Sequence, residues 1–286
     1  MRRFSVMLCT AALLIATTAC GSHSDTSAQA SASLTSGNWL LSTTSSTITT
    51  NSSGVPVRTY SILRGPLAQT GSSVYAAMVF DGGTPFSYSD PLRCYINPAP
   101  NAFSGTVDNG LTLNSTAVGN SVLTISAPVS SATTFTGTYV STAGSFCLSG
   151  DTGTVYGIYV PPLAGSFGGT LQNFAKYPNL GVTATFSQSQ SADKVGHFAL
   201  SGTVSMKNYP CFTTGTIDST RSYITGESIV LLAADTKGAT VSFSQPYLPS
   251  PDIASEVDTQ GFYLSGGTCG SEYVSGSGVK LVLLKQ

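Results

Sequence analysis

Side chains able to do chemistry are scarce in these 286 residues. There are two histidines, His23 in a polar stretch near the start and His197 just before an apolar run. A metal centre needs several His, Cys or carboxylate ligands that converge, and cysteines committed to disulfides cannot serve. No metal and no cofactor are expected. Ser191-Ala192-Asp193-Lys194 puts a lysine three residues after a serine, a spacing at which an amine can deprotonate a nucleophile, but it falls in a polar turn. Asp81, Asp90, Asp151, Asp252, Glu256 and Asp258 stand among turn residues, where a short carboxylate caps backbone amides. Neither a Gly-x-Ser-x-Gly elbow, nor a phosphate loop, dinucleotide fingerprint or His-Glu-x-x-His motif is present. The chain is therefore not expected to be an enzyme.

The most specific chemistry lies at the cysteines. Arg2 and Arg3 precede an apolar run from Val6 to Ala16, which stops at Thr17-Thr18-Ala19-Cys20. A run of about eleven residues is too short for a spanning helix, which needs roughly twenty, and suits a cleaved signal peptide covering residues 1–19. Small residues before Cys20 resemble the lipobox of bacterial lipoproteins, with Thr17 where that pattern usually has Leu. The resemblance implies acylation of Cys20, attachment to a membrane through acyl chains such as palmitate, and an extracytoplasmic location. Gly21 is not the Asp of an inner-membrane retention signal, which favours the outer membrane in a host that has one. Parity agrees: of six cysteines, Cys9 leaves with the peptide and Cys20 is acylated, so Cys94, Cys147, Cys211 and Cys269 remain to pair.

The elements that position these cysteines are strands. Apolar residues recur at every second position in short runs, as in Val74, Ala76, Met78 and Phe80, or Leu123, Ile125, Ala127 and Val129. Asp108-Asn109-Gly110 and Gly119-Asn120 supply residues that tolerate the positive φ of tight turns. Residues 20–36 are small and polar and read as a lipidated flexible tether, with a span of roughly 20 Å. The one helical turn expected lies around Ile253 to Val257, after Pro251.

Beyond the tether the chain repeats. Gly37-Asn38-Trp39 is answered by Gly165-Ser166-Phe167, Leu67-Ala68-Gln69 by Phe186-Ser187-Gln188, and Arg93-Cys94-Tyr95 by Pro210-Cys211-Phe212. Gly105-Thr106-Val107-Asp108 is answered by Gly215-Thr216-Ile217-Asp218, and Phe146-Cys147 by Thr268-Cys269. Order is kept throughout, which defines module 1 over residues 37–162 and module 2 over residues 163–286. If each module carries its own bridge, Cys94 pairs with Cys147 and Cys211 with Cys269.

About eight strands between Trp39 and Val160 suit an up-and-down barrel, which has no free edges. The expectation is an all-β chain of two tandem antiparallel barrels, with two β-sandwiches as the alternative. The opening Gly-x-Trp and the meander resemble the calycin barrels, lipocalins and avidins among them. The chain as a whole resembles the duplicated Gly/Ser/Thr-rich lipoproteins of environmental bacteria, a likeness that brings no activity and no catalytic residues. Ser191 to Lys194 also has the spacing of penicillin-binding enzymes, whose serine, however, sits on a helix.

Only 9% of residues are charged, and loss of Arg2 and Arg3 leaves ten basic against thirteen acidic side chains, so nucleic acid is not an expected partner. The expected role is a non-enzymatic binding module holding a small apolar or peptide ligand in its barrels, with a structural lipoprotein of filled barrels that meets envelope proteins as the alternative.

Overall fold

The computed structural model describes residues 33–51, 53–81, 92–96, 99–145, 147, 149–172, 180–245, 256–259, 262–267, 269, 271–274 and 280–286. Cys20, His23, Asp90, Asp252 and the proposed leader and tether up to residue 32 lie outside them. The described residues belong to one compact unit and contain no α-helix.

Eight strands form the first sheet: β1 (Gly37–Thr50), β2 (Pro56–Thr70), β3 (Ser73–Asp81), β4 (Asn101–Thr106), β5 (Leu111–Ser115), β6 (Leu123–Ala127), β7 (Thr134–Ser141) and β8 (Asp151–Val160). Each pairs antiparallel with the next, and β8 returns to β1, with Trp39 opposite Tyr159 and Leu41 opposite Gly157. The result is a closed barrel, in which every backbone edge within the closing registers has a partner. The period-2 stripes point inward as expected: Val74, Met78, Phe80, Leu111, Leu113, Leu123 and Ile125 are fully buried. Gly119 and Asn120 both have positive φ and make the two-residue turn between Val118 and Ser121. At Gly105 a Cβ would lie 1.6 Å from the Thr112 carbonyl, so only glycine lets β4 and β5 approach.

The second sheet contains eleven strands: β9 (Ala164–Gln172), β10 (Gly181–Gln188), β11 (Phe198–Lys207), β12 (Thr214–Ile217), β13 (Tyr223–Thr225), β14 (Ser228–Asp235), β15 (Thr240–Gln245), β16 (Glu256–Thr259), β17 (Phe262–Ser265), β18 (Ser271–Val274) and β19 (Lys280–Lys285). Strands β12 and β13 are one interrupted strand, since both lie between β11 and β14. The order runs β16-β19-β9-β10-β11-β12-β14-β15-β17-β18, so this sheet is not closed by strand pairing among the described residues, unlike the first. The difference lies at the return. In the first sheet β7 pairs with β8 directly, whereas here β17 pairs with β18 while the returning β19 pairs with β16 and β9.

Two expectations are corrected here. Of the expected helical turn, Ile253 to Ser255 lie outside the described residues, while Glu256 and Val257 belong to β16, where Val257 pairs with Leu283 and the ladder supplies the hydrogen bonds. Glu256 and Asp258 accordingly stand on a strand and not in a turn.

The two sheets share local details. Gln69 accepts the Leu34 amide through Oε1 at 2.7 Å, and Gln188 accepts the Leu163 amide in the same way at 2.9 Å. In each case the glutamine lies at the end of the sheet's second strand, Gln69 one residue before the end of β2 and Gln188 the last of β10, and ties down the chain entering the first. Trp39 and Phe167, Tyr95 and Phe212 are buried pairs at matched positions.

Candidate functional site

The two disulfides are Cys94–Cys147 and Cys211–Cys269. The first joins the β3–β4 connection to the β7–β8 connection, and the second joins β11–β12 to β17–β18, the corresponding places in the second sheet. Next to Cys94, in a short 3-10 turn, Tyr95 is fully buried; its hydroxyl meets Ser121 Oγ at 2.9 Å, and Ser121 Oγ donates to the Thr142 carbonyl at 2.6 Å. Burial raises the Tyr95 pKa, with the Ser121 and Ser115 hydrogen bonds acting the other way.

Inside the first barrel Trp39 stacks on Phe135 with ring centroids 5.6 Å apart and meets the edge of Tyr159 at 6.0 Å. Its Nε1 donates to the Thr35 carbonyl at 2.8 Å. Leu41, Leu63, Leu67, Met78, Phe80 and Tyr139 share this core. An eight-stranded barrel is just wide enough for side chains of this size to fill.

Asp151 departs from the turn-capping role expected of it. As the first residue of β8 it is buried, and its carboxylate accepts Ser45 Oγ (2.8 Å), Thr47 Oγ1 (3.0 Å) and the Tyr139 hydroxyl. Three hydroxyl donors satisfy this buried carboxyl group, which makes it a structural tie between β1, β7 and β8. Asp218 does cap its turn, accepting the Thr220 amide at 3.0 Å and hydroxyl at 2.7 Å; these bonds lower its pKa.

Polar groups converge most where the two modules meet. The β13–β14 hairpin, Thr225 to Ser228, presses its tip against the outer wall of the first barrel. Asn38 Nδ2 donates to the Gly226 carbonyl at 2.8 Å, and Asn38 Oδ1 accepts the Gly226 amide at 2.7 Å. Gly226 has φ +53°, and a Cβ there would lie 2.5 Å from Arg64 Cβ. Leu40 and Val160 join the second module's apolar core, with Ile62 and Ile158 packed against it. Gly196 lies on Pro66, Ala77 and Pro100.

Glu227 follows in the same turn, only 8% exposed; burial pushes its pKa up to about 7, while Arg64 pulls it back. His197 stands partly exposed at the rim of this joint, its ring stacked on Tyr223 at 3.7 Å and its Nδ1 3.9 Å from Asp193. Burial lowers its pKa, Asp193 raises it, and Arg64 lowers it further.

The joint should therefore respond to pH. A carboxyl whose folded pKa is raised stabilises the fold fully below its unfolded value near 4.5, and this is lost as pH rises to about 7. His197, with a lowered pKa, works in the opposite sense: its contribution is lost as pH falls below 6.5. The Glu227 effect is the larger, on the order of 3 kcal/mol at about 1.4 kcal/mol per pKa unit. Glu227→Gln should flatten or invert the slope of unfolding free energy between pH 4.5 and 7 and raise stability at pH 8. Denaturant melts at four pH values test this; parallel slopes in both proteins would show that Glu227 is not the source.

Ser191 and Lys194 lie exposed in the loop between β10 and β11, on no helix. Among the described residues no group of three or more His, Cys, Asp or Glu is placed to hold a metal, and no helix is long and apolar enough to cross a membrane. Comparison with models of known families, with curated proteins and with solved structures gives no match. The class is defined by the fold: an all-β protein with a closed eight-stranded antiparallel barrel and a second, eleven-stranded sheet whose β13–β14 hairpin packs on its wall.

Proposed function

We propose that this is a non-enzymatic lipoprotein of the cell envelope, acylated at Cys20 and held off the membrane by residues 21–36. In this reading the leader is residues 1–19, modules 1 and 2 are two calycin-like barrels of common origin, and their interiors are filled. The protein works through its outer faces, as a structural or interaction component, and not by enclosing a small apolar or peptide ligand.

The observation that supports this reading is the interior of the first barrel. Trp39, Phe80, Phe103, Phe135 and Tyr139 occupy the space in which a ligand-holding barrel keeps its cavity, and Tyr95 covers one end. Strand registers support the common origin, because β1 and β9 carry Trp39 and Phe167 against corresponding partners.

Intact-mass measurement of the protein purified from its own membranes tests both halves of the proposal. The expected result is an acyl increment that disappears in Cys20→Ser, together with release of that variant into the soluble fraction. No non-covalent small molecule should accompany the chain under native conditions. A stoichiometric co-purifying ligand would overturn the filled-barrel reading, and an unmodified Cys20 would overturn the anchor.

A further inference from the structure

Tyr156 and Tyr159 lie three residues apart on β8 and so point to opposite faces of the barrel wall. Tyr159 meets the buried Trp39, whereas Tyr156 stands outside, 44% exposed. Tyr156 lies opposite Thr136 of β7 and Ser42 of β1. Tyr60 of β2, half-buried, lies opposite Thr44 and leans across to Ser42, where its hydroxyl donates to Oγ at 2.9 Å. Two tyrosine rings therefore flank Ser42, carried by strands about 10 Å apart with β1 between them. Thr138, Thr154 and Thr44 form the adjacent outward row, beside the buried Tyr139, Val155 and Thr43.

None of these outward positions is charged, and each Ser or Thr hydroxyl can both donate and accept. Arg58, two residues before Tyr60, donates to the Ser45 and Ser46 carbonyls. Further along the same strands, Leu40, Ile62 and Ile158 already meet the second module, so the patch continues a wall that is in use. The fold does not require a ring at position 156. In the second sheet, counted from Phe167 as from Trp39, Thr170 lies where Ser42 does, and its partner is Val282.

Aromatic rings held in water among uncharged hydroxyls complement one kind of partner. Pyranose units with equatorial hydroxyls have C–H faces that stack on the electron-rich face of an aromatic ring, and hydroxyl rims that hydrogen-bond Ser and Thr. Acidic or phosphate-bearing polymers find no cation to pair with on these rows. An extended peptide pairs with a free strand edge, and here β7, β8, β1 and β2 are joined side by side. We infer that the outer wall of the first barrel, at Tyr60 and Tyr156, binds a neutral glycan built of such pyranose units. This rests on the reading that the protein works through its outer faces, and it names the partner of one of them.

Affinity electrophoresis of the full-length Cys20→Ser protein, in gels containing hydroxyethyl cellulose, glycol chitin or polygalacturonate, tests the inference. At least one of the two neutral polymers should retard the protein, and polygalacturonate should not. Tyr156→Ala and Tyr60→Ala should each weaken the retardation about tenfold, as for the loss of one stacked ring, while Tyr156→Phe keeps the ring and should preserve it. Unchanged Trp39 emission checks that each variant is folded. No retardation by either neutral polymer, equal retardation by the anionic one, or retardation indifferent to Tyr156→Ala would each overturn the inference and leave the filled barrel standing. A Trp39 emission that shifts on addition of cellotetraose or chitotetraose would instead place the sugar inside the barrel and overturn both.

Discussion

Replacing Cys94 and Cys147 together by alanine should lower the unfolding free energy by about 4 kcal/mol, the chain-entropy value for a closed loop of this length. The bridged residues are 53 apart in sequence, and the bridge crosses from the β3–β4 connection to the β7–β8 connection. The loop it closes holds β4 to β7, four of the barrel's eight strands, and the bridge fixes the turn that seats Tyr95 over the core. Cys211–Cys269, with a separation of 58, should be worth about the same, because the entropy depends on the logarithm of loop length. Denaturant unfolding with and without reductant measures both. A midpoint that ignores reduction would show that these bridges do not restrain the unfolded chain.

The second large effect is expected at Trp39→Ala, which should cost about 3 to 5 kcal/mol, the range for deleting a buried aromatic. Trp39 is fully buried, packed between Phe135 and Tyr159, and ties its indole to Thr35. Around Trp39 the wall is held by unbroken registers, β1 pairing from Gly37 to Thr44 with β2 and from Asn38 to Ser45 with β8, so it collapses little into the space left. That space is apolar, and apolar cavities of such origin stay dry and admit small aromatic molecules. The variant should bind benzene-sized probes that the unaltered protein ignores. Calorimetry showing equal uptake by both would mean that the indole does not fill the site.

Much of this fold is legible in the residues themselves. The inward stripe of β3 is the alternation of Val74, Ala76, Met78 and Phe80, and the Gly119-Asn120 turn follows from two residues that accept positive φ. The joint is less legible, because Asn38 and Glu227 become buried only when the modules dock, and a local pattern carries no record of docking. A signal did exist. Leu40-Leu41, Ile62-Leu63 and Ile158-Tyr159 are apolar on both phases of the strand, as happens where a sheet is covered on both faces. Asp151 misleads for a similar reason: Gly150-Asp151-Thr152-Gly153 has turn composition, while the strand phase directs the carboxylate inward to hydroxyls contributed by β1 and β7. The open return of the second sheet depends on which strand β17 finds as its neighbour, a choice made by tertiary pairing.

The claim that the first barrel is filled can be read from one chromophore. Trp39 is the chain's single tryptophan and lies in that core, so its emission reports on any molecule that enters. Titration of the native protein with a graded series of apolar ligands, from benzene-sized probes to fatty acids and short apolar peptides, should leave the position and intensity of its emission unchanged. A saturable shift or quench, reversed by an unlabelled competitor, would mean that the barrel opens to a ligand and would contradict the account.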